Sequence, residues 1–393
     1  MKTYSLMMLF ILGQFFSQLG FSRRQNFTIY SPDGDLIDCI DRADQRAFDH
    51  PLLRNHIIQE YPTGMSQIGI EVAPTGQVWH ETGKKCPAGT IPVRRETGAP
   101  SASYRKYHPD ANDLAAKATT GHKYAIGFMV NRGRIYGTRA TLNVWDPIVE
   151  AQGDFSLAQI WLASGSYENG DVNTIEAGWQ VYPSRYHDNQ PRLFTYWTKN
   201  GYNGTGCYGI DCGGFIQTSS TIAIGAAISR TSTSRSTQLD ITIQISKDPV
   251  SGNWWLGLGQ DNVPIGYWTA AIFTVLSDHA TTVEWGGEVL YRNLSGVNTM
   301  AQMGSGGYAD KGFRRAAYFC NLKVAENNHT LLPVEDFGVQ ADYPQYFTVK
   351  KLYNSNCGNH FYYGGPGPQR SGAVRGTVVS RVIFLFLFVR FFN

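Results

Sequence analysis

Residues 174–182 read Thr174-Ile175-Glu176-Ala177-Gly178-Trp179-Gln180-Val181-Tyr182. Successive side chains of an extended strand point to opposite faces. Ile175, Ala177, Trp179 and Val181 therefore share an apolar face, and Glu176, Gly178, Gln180 and Tyr182 share the other. The same period recurs in Asp240-Ile241-Thr242-Ile243-Gln244-Ile245-Ser246, and again at Trp254, Leu256 and Leu258. Several such runs, separated by Gly, Asn, Asp and Pro turns, predict an all-β chain folded as an antiparallel β-sandwich.

Composition agrees with that class. The 393 residues are 42% hydrophobic and 17% charged, with 42 glycines, 22 tyrosines, 21 phenylalanines and 9 tryptophans. That is ample for a sizeable core, excludes a disordered chain, and favours strands joined by tight turns. A formal net charge of +3 gives no reason to expect a nucleic-acid partner.

Working outward, four segments are expected. Residues 1–21 read as a signal peptide, with Lys2 ahead of the apolar run Leu6 to Phe16 and the small Gly20 and Ser22 near the cut. Residues 22–118 form a polar, charged stretch whose end, from about residue 96, is a Ser/Ala/Pro/Lys-rich linker. The patterned domain occupies 119–367, and 368–393 form an atypical tail. Within the tail, Val382 to Val389 is apolar between Arg381 and Arg390, too short for a bilayer span of about 20 residues. No stable membrane span is expected.

Six cysteines suit an oxidising compartment. Cys207 and Cys212 lie close together in a Gly-rich segment and suit a disulfide-closed loop, leaving Cys39 with Cys86 and Cys320 with Cys357 as natural pairs. Six cysteines allow about 15 connectivities, so the order stays open at this level. Zinc would want two close pairs or added histidines, so no metal or other cofactor is expected. Asn26, Asn203, Asn293 and Asn328 stand in glycosylation sequons.

No His-Glu-x-x-His, Gly-x-Ser-x-Gly, phosphate loop or dinucleotide fingerprint occurs. Ser277-Asp278-His279 reads as a turn, since triad members are rarely adjacent in sequence. Two carboxylate segments remain. Glu176 sits mid-strand opposite the apolar face. In Thr281-Thr282-Val283-Glu284-Trp285-Gly286-Gly287-Glu288-Val289, the residues Glu284, Gly286 and Glu288 share one face. The glycines allow close backbone approach, and the Gly-Gly pair suggests a bulge that re-aims Glu288. Spacing alone leaves these carboxylates as ordinary solvated groups on an exposed sheet face.

Many longer runs carry a resemblance. Gly121-His122-Lys123-Tyr124-Ala125, Ala140 to Trp145, Glu176 to Pro183, Arg192 to Thr198, Cys207 to Phe215, Ile265 to Thr269, Val283 to Val289 and Tyr362 to Gly367 resemble the catalytic domain of the plant neprosin family. Phe48 to Leu53 and Cys86 to Arg95 resemble its activation peptide. The likeness implies a glutamic endopeptidase on a β-sandwich, made as an acid-activated zymogen, with a founding activity that cleaves beside proline. It places the catalytic glutamates at Glu176 and Glu288, with Glu284 in reserve. The implied partners are a peptide or protein substrate and the chain's own pro-domain as inhibitor. The implied location is extracellular (apoplast or cell wall) or vacuolar. Gly178, Gln180, Tyr182, Tyr196 and Trp197 are the expected substrate-binding residues. The family pattern ends near Gly367, and Cys320, Arg185 and His187 depart from it.

Two other classes fit the same residues. A noncatalytic carbohydrate- or peptide-binding sandwich of the cell wall could use Tyr182, Tyr196, Trp197 and Trp255 as a platform. A glycosidase would also use paired carboxylates.

Overall fold

The computed structural model describes residues 27–65, 76–96, 121–290 and 300–368. The expected signal peptide, the sequons at Asn26 and Asn293, the linker beyond Glu96 and the tail beyond residue 368 lie outside the described residues.

Strands dominate, as the alternation predicts. Three build a small antiparallel sheet in the pro-region: β1 (Phe27–Tyr30), β2 (Leu36–Asp41) and β3 (Thr90–Arg94). The rest form one large, branched, antiparallel system. Its strands are β4 (His122–Asn143), β5 (Phe155–Ser164), β6 (Asn173–Val181), β7 (Arg192–Thr198), β8 (Cys207–Tyr208), β9 (Phe215–Gln217), β10 (Asp240–Lys247), β11 (Trp254–Leu258) and β12 (Val263–Trp268). They continue with β13 (Ala280–Leu290), β14 (Ala317–Glu326), β15 (Leu332–Pro333), β16 (Gly338–Ala341), β17 (Thr348–Asn354) and β18 (Gly358–Gly364). Apart from 3-10 turns, the described helix is a single turn, α1 (Pro183–Tyr186).

The long β4 belongs to two layers. Its first half pairs with β13 and β16, and its second half with β10 and β14. Between the halves, Asn131 and Gly133 adopt left-handed conformations, and the register with β13 shifts between Ala280 and Thr282. One layer thus runs β8-β7-β6-β5-β13-β4-β16, and the other runs β9-β12-β11-β10-β4-β14-β18-β17.

Apolar side chains of the two layers meet in one core. Ile175, Ala177, Trp179 and Val181 of β6 and Val283, Trp285 and Val289 of β13 join Ile243 and Ile245 of β10 and Trp254, Leu256 and Leu258 of β11. Each such side chain, fully buried, contributes about 1.5–3 kcal/mol by leaving water. Three of the core indole N–H groups find acceptors. Trp179 donates to the Asn143 carbonyl at 3.0 Å, Trp254 to the Leu276 carbonyl at 2.8 Å, and Trp285 to Thr138 Oγ1 at 3.0 Å. Trp255 is buried in the same core, 4.6 Å from the Tyr267 ring, so it paves no external platform.

The pro-region is built into this body. Ala47 and Leu53 enter the main core. Ile29, Ile37, Cys39, Trp79 and Cys86 form a second cluster with Ala223 and Ala226 of the large domain. Gln45 and Gln217 exchange buried amide hydrogen bonds, Gln77 pairs with the Ala223 backbone, and Asp35 binds the fully buried Arg192. All three expected disulfides are present: Cys39–Cys86, Cys207–Cys212 and Cys320–Cys357. Each lies within one region, so no disulfide joins the pro-region to the large domain. Asn203 and Asn328, two of the sequon asparagines, are exposed. Among the described residues, no helix is long and apolar enough to cross a membrane.

Candidate active site

The face of the first layer opposite the core carries both glutamates. It is lined by Tyr124, Ile126, Phe155, Leu157, Trp161, Tyr182, Phe194, Tyr196, Tyr202, Tyr208 and Leu290. Register sets its rows. One runs Tyr196, Glu176, Trp161, Glu284, Phe128 across β7, β6, β5, β13 and β4. The next runs Phe194, Gly178, Gln159, Gly286, Ile126, and the third Arg192, Gln180, Leu157, Glu288, Tyr124. Glu176, Gln159 and Glu288 thus lie on one diagonal, each step crossing one strand and advancing two residues.

In a flat sheet that diagonal would separate the two glutamate Cα atoms by about 16 Å, given strands about 4.8 Å apart and about 3.3 Å per residue. This sheet is concave. Tyr208 on β8 stands four strands from Glu288, roughly 19 Å across a flat sheet. Yet the Glu288 charge is among the groups that raise the Tyr208 hydroxyl, after burial, Tyr182 and Tyr196. The middle row explains the curl. A Cβ on Gly178 would lie 1.9 Å from the Ala158 carbonyl oxygen and 2.6 Å from Gln159 Cα, and one on Gly286 would lie 2.4 Å from the Ala125 carbonyl oxygen. Only bare backbone lets the neighbouring strands fold in so closely.

Glu176 is fully buried and ringed by donors. Gln159 Nε2 donates to Oε2 at 2.8 Å, while Thr174 Oγ1 (2.9 Å) and the Tyr202 hydroxyl (2.7 Å) donate to Oε1. Glu288 is also fully buried. Its Oε1 lies 2.6 Å from His122 Nδ1 and accepts from the Tyr124 hydroxyl at 3.2 Å. Burial, then the Glu288 charge, raises the Tyr124 hydroxyl well above its ordinary value. Burial, then the Glu176 charge, does the same to Tyr202. Both phenols therefore stay protonated at neutral and acidic pH and keep donating. Neither glutamate is the solvated carboxylate that spacing alone suggests.

Glu284 occupies a different position. It lines an open groove of about 350 Å³ with Trp161, Tyr167, Thr174 and Tyr202 among its other walls. The groove therefore touches two of the groups that hold Glu176. The expected substrate-binding set divides. Gly178, Gln180, Tyr182 and Tyr196 share the glutamate face, and the Gln180 amide donates to the Tyr186 hydroxyl at 2.9 Å. Trp197 does not share it. Adjacent strand residues cannot face the same way, and Trp197 packs in the main core against Phe273, with His50 of the pro-region 6.0 Å away. The expected Gly-Gly bulge is likewise absent. Pairing runs without a shift from Trp285 to Leu290, and Gly287 instead makes room for Met303 and Tyr363 of the core.

Several residues of this site were not singled out by the sequence: Gln159, Thr174, Tyr202, His122, Tyr124 and Trp161. Gln159 carries one usable signal, as the lone amide inside the apolar run Phe155–Ser164. Arg185 and Arg94 meet at the Tyr208 end. Arg185 binds Asp211 and stacks over Tyr208, its centre 4.6 Å from the ring, while Arg94 donates to the Tyr186 carbonyl. Arg94 and Arg95 also bind Asp35 and Asp38, as a strand end would. Ser277-Asp278-His279 forms a turn before β13, with the serine hydroxyl bound to the Thr274 carbonyl.

The neprosin family model matches residues 152–366, and the neprosin activation peptide model matches residues 28–128. Among solved structures, the chain is similar to scytalido-glutamic peptidase bound to a peptide-based transition-state analogue. The identity is 12%, the match covers 63% of this chain and 98% of that one, and the TM-score is 0.34. It is also similar to SCP-B, an eqolisin-family peptidase in complex with the tripeptide Ala-Ile-His, at 10% identity, 63% and 98% coverage and a TM-score of 0.31.

Proposed function

Because this chain belongs to the neprosin family and carries its activation peptide, we propose that it is a glutamic endopeptidase made as a zymogen. Glu176 and Glu288 are the working pair. One observation carries this reading: two fully buried carboxylates lie on one concave face, each held by side-chain hydrogen bonds and linked by a diagonal through Gln159.

The chemistry needs one ionised and one protonated carboxyl. The ionised member takes a proton from water as the water oxygen attacks the peptide carbonyl. The protonated member gives its proton to the leaving amine as the C–N bond breaks. Acidic pH favours that shared-proton state. Proline-directed cleavage, acid activation, secretion to the apoplast, cell wall or vacuole, and glycosylation at the exposed sequons belong to the same proposal, and the family resemblance supports them. The pro-region fits the role of inhibitor, since its last described residues, Arg94 and Glu96, line a pocket with Arg185, Phe194 and Tyr208.

A second arrangement has its own support. Glu284 shares a row with Glu176 and lines the groove, so it could replace Glu288 as the partner. The test is hydrolysis of a proline-containing peptide by acid-matured protein, comparing the parent with Glu176→Gln, Glu288→Gln and Glu284→Gln. Activity that survives Glu176→Gln and Glu288→Gln overturns the proposal. Hydrolysis of glycans in place of peptides selects the glycosidase.

A further inference from the structure

Gln159 is fully buried and sits midway along the diagonal between the two glutamates, flanked in its row by Gly178 and Gly286. Its Nε2 donates to Glu176 Oε2 at 2.8 Å. A carboxylate accepts and does not donate, so that contact fixes which end of the amide is nitrogen. The other end, Oε1, is a buried acceptor with no hydrogen-bond donor in reach among the described residues. Leaving such an atom unmatched costs about 1–3 kcal/mol. A sheet interior normally fills that position with an apolar side chain, as Leu157 and Trp161 do one step along the same strand face.

We infer that Gln159 holds the nucleophilic water of the hydrolysis, an inference that rests on the glutamate-pair reading above. Its Oε1 accepts one hydrogen of the water, and its Nε2 fixes Glu176 beside the same oxygen. The water's second hydrogen then points to the Glu176 carboxylate. In the step, the water oxygen forms the new C–O bond while its proton passes to Glu176, and the carbonyl π pair moves onto oxygen. Glu288, protonated, delivers its proton to nitrogen as the tetrahedral carbon releases the amine. The products are one acid and one amine, and proton exchange with solvent resets both carboxyls. The bare backbone at Gly178 and Gly286 leaves the floor around the amide free of competing side chains. Gln159 thereby touches the reacting water and is a catalytic residue for this reaction.

Two variants separate this role from a structural one. Gln159→Leu removes both functions at similar volume, and the expected outcome is a fall in kcat of about 100-fold with KM changed less than about threefold. Gln159→Glu should behave differently with pH. Below the pKa of its new carboxyl, the protonated group still offers a donor to Glu176 and an acceptor to water, so activity is largely retained. Above it, like charge meets Glu176 and activity is lost. The Gln159→Glu profile should therefore lose its upper limb while the parent keeps it. A Gln159→Leu variant within about threefold of the parent kcat overturns the inference. So does equal loss in both variants at every pH together with a lowered Tm. Failure of the underlying reading looks different, with Glu176→Gln as active as the parent. A crystal structure of the matured protein tests the geometry whatever the activity. Water density about 3 Å from both Gln159 Oε1 and Glu176 is the expected result, and a protein donor in that position overturns it.

Discussion

At Glu176, replacement by glutamine keeps the size and most hydrogen bonds but removes the ability to take and give a proton. Glu176→Gln and Glu288→Gln should each lower kcat/KM on a proline-containing peptide by about 100- to 10,000-fold. The double variant should be little worse than either, because residues acting as a unit are not additive. Glu284→Gln should cost less than about tenfold if its carboxylate serves only the groove wall. A dead Glu284→Gln beside an active Glu288→Gln would transfer the role to Glu284. Tyr202→Phe deletes one donor to a buried carboxylate, a bond to a charged group of about 1.5–3 kcal/mol, and should lower kcat roughly 10- to 100-fold in the same assay. Residue parity made the shared face of Glu284 and Glu288 and the face of Glu176 legible, because a period of two needs only neighbours in sequence. It did not separate Glu288 from Glu284, which only the family resemblance did. Tyr202 and Tyr124 were not legible as their donors, since a loop and a distant strand deliver them. Trp197 is a different case. Parity with Tyr196 already excluded it from the glutamate face.

Strands β5, β6 and β13 and their neighbour β4 approach most closely where two side chains are missing, at Gly178 and Gly286. A Cβ at residue 178 would sit 1.9 Å from a backbone oxygen, and backbone cannot rotate away as a side chain can. Gly178→Ala should therefore destabilise the fold by about 1–3 kcal/mol and flatten the row between the glutamates. Activity should fall further than thermal unfolding alone explains. Unchanged kcat with an unchanged Tm would show that the curl does not depend on that glycine. The sequence flagged glycines beside the carboxylates and read them as a bulge. It could not show closure across strands, because the contacting atoms belong to backbone far away in the chain.

For the whole molecule, the question is what holds the pro-region in place. Asp35→Ala leaves the fully buried Arg192 with Asp188 and, at 3.8 Å, Asp33 as its remaining carboxylates, and losing the Asp35 partner should cost the zymogen about 3 kcal/mol. The Tm of the zymogen should drop while that of the matured protein stays constant. Asp248 adds a pH-dependent contact. Burial pushes its carboxyl up, but the N–H groups of Thr63, Ser251 and Val250 and the Gln59 amide outweigh this and hold it well below the usual range. The part of that depression due to Thr63 and Gln59 of the pro-region stabilises the docked state above about pH 4 and is lost as pH falls through the lowered value, whereas the Val250 and Ser251 bonds remain when the pro-region leaves. Once the linker is cut, retention of the pro-region on a sizing column should therefore weaken as pH falls below about 4. Asp248→Asn should flatten that dependence, and an identical pH profile in parent and variant would count against the contact. The cysteine pairs were legible in the sequence, yet the depth of this docking was not. Ala47 and Leu53 look like ordinary surface-segment residues until the main core closes over them. Their position has a thermodynamic consequence. A protein whose core is completed by a segment it later discards retains a shape its remaining chain was never required to find alone. Matured protein unfolded in denaturant should then show hysteresis, regaining little structure on dilution unless residues 22–96 are supplied in trans.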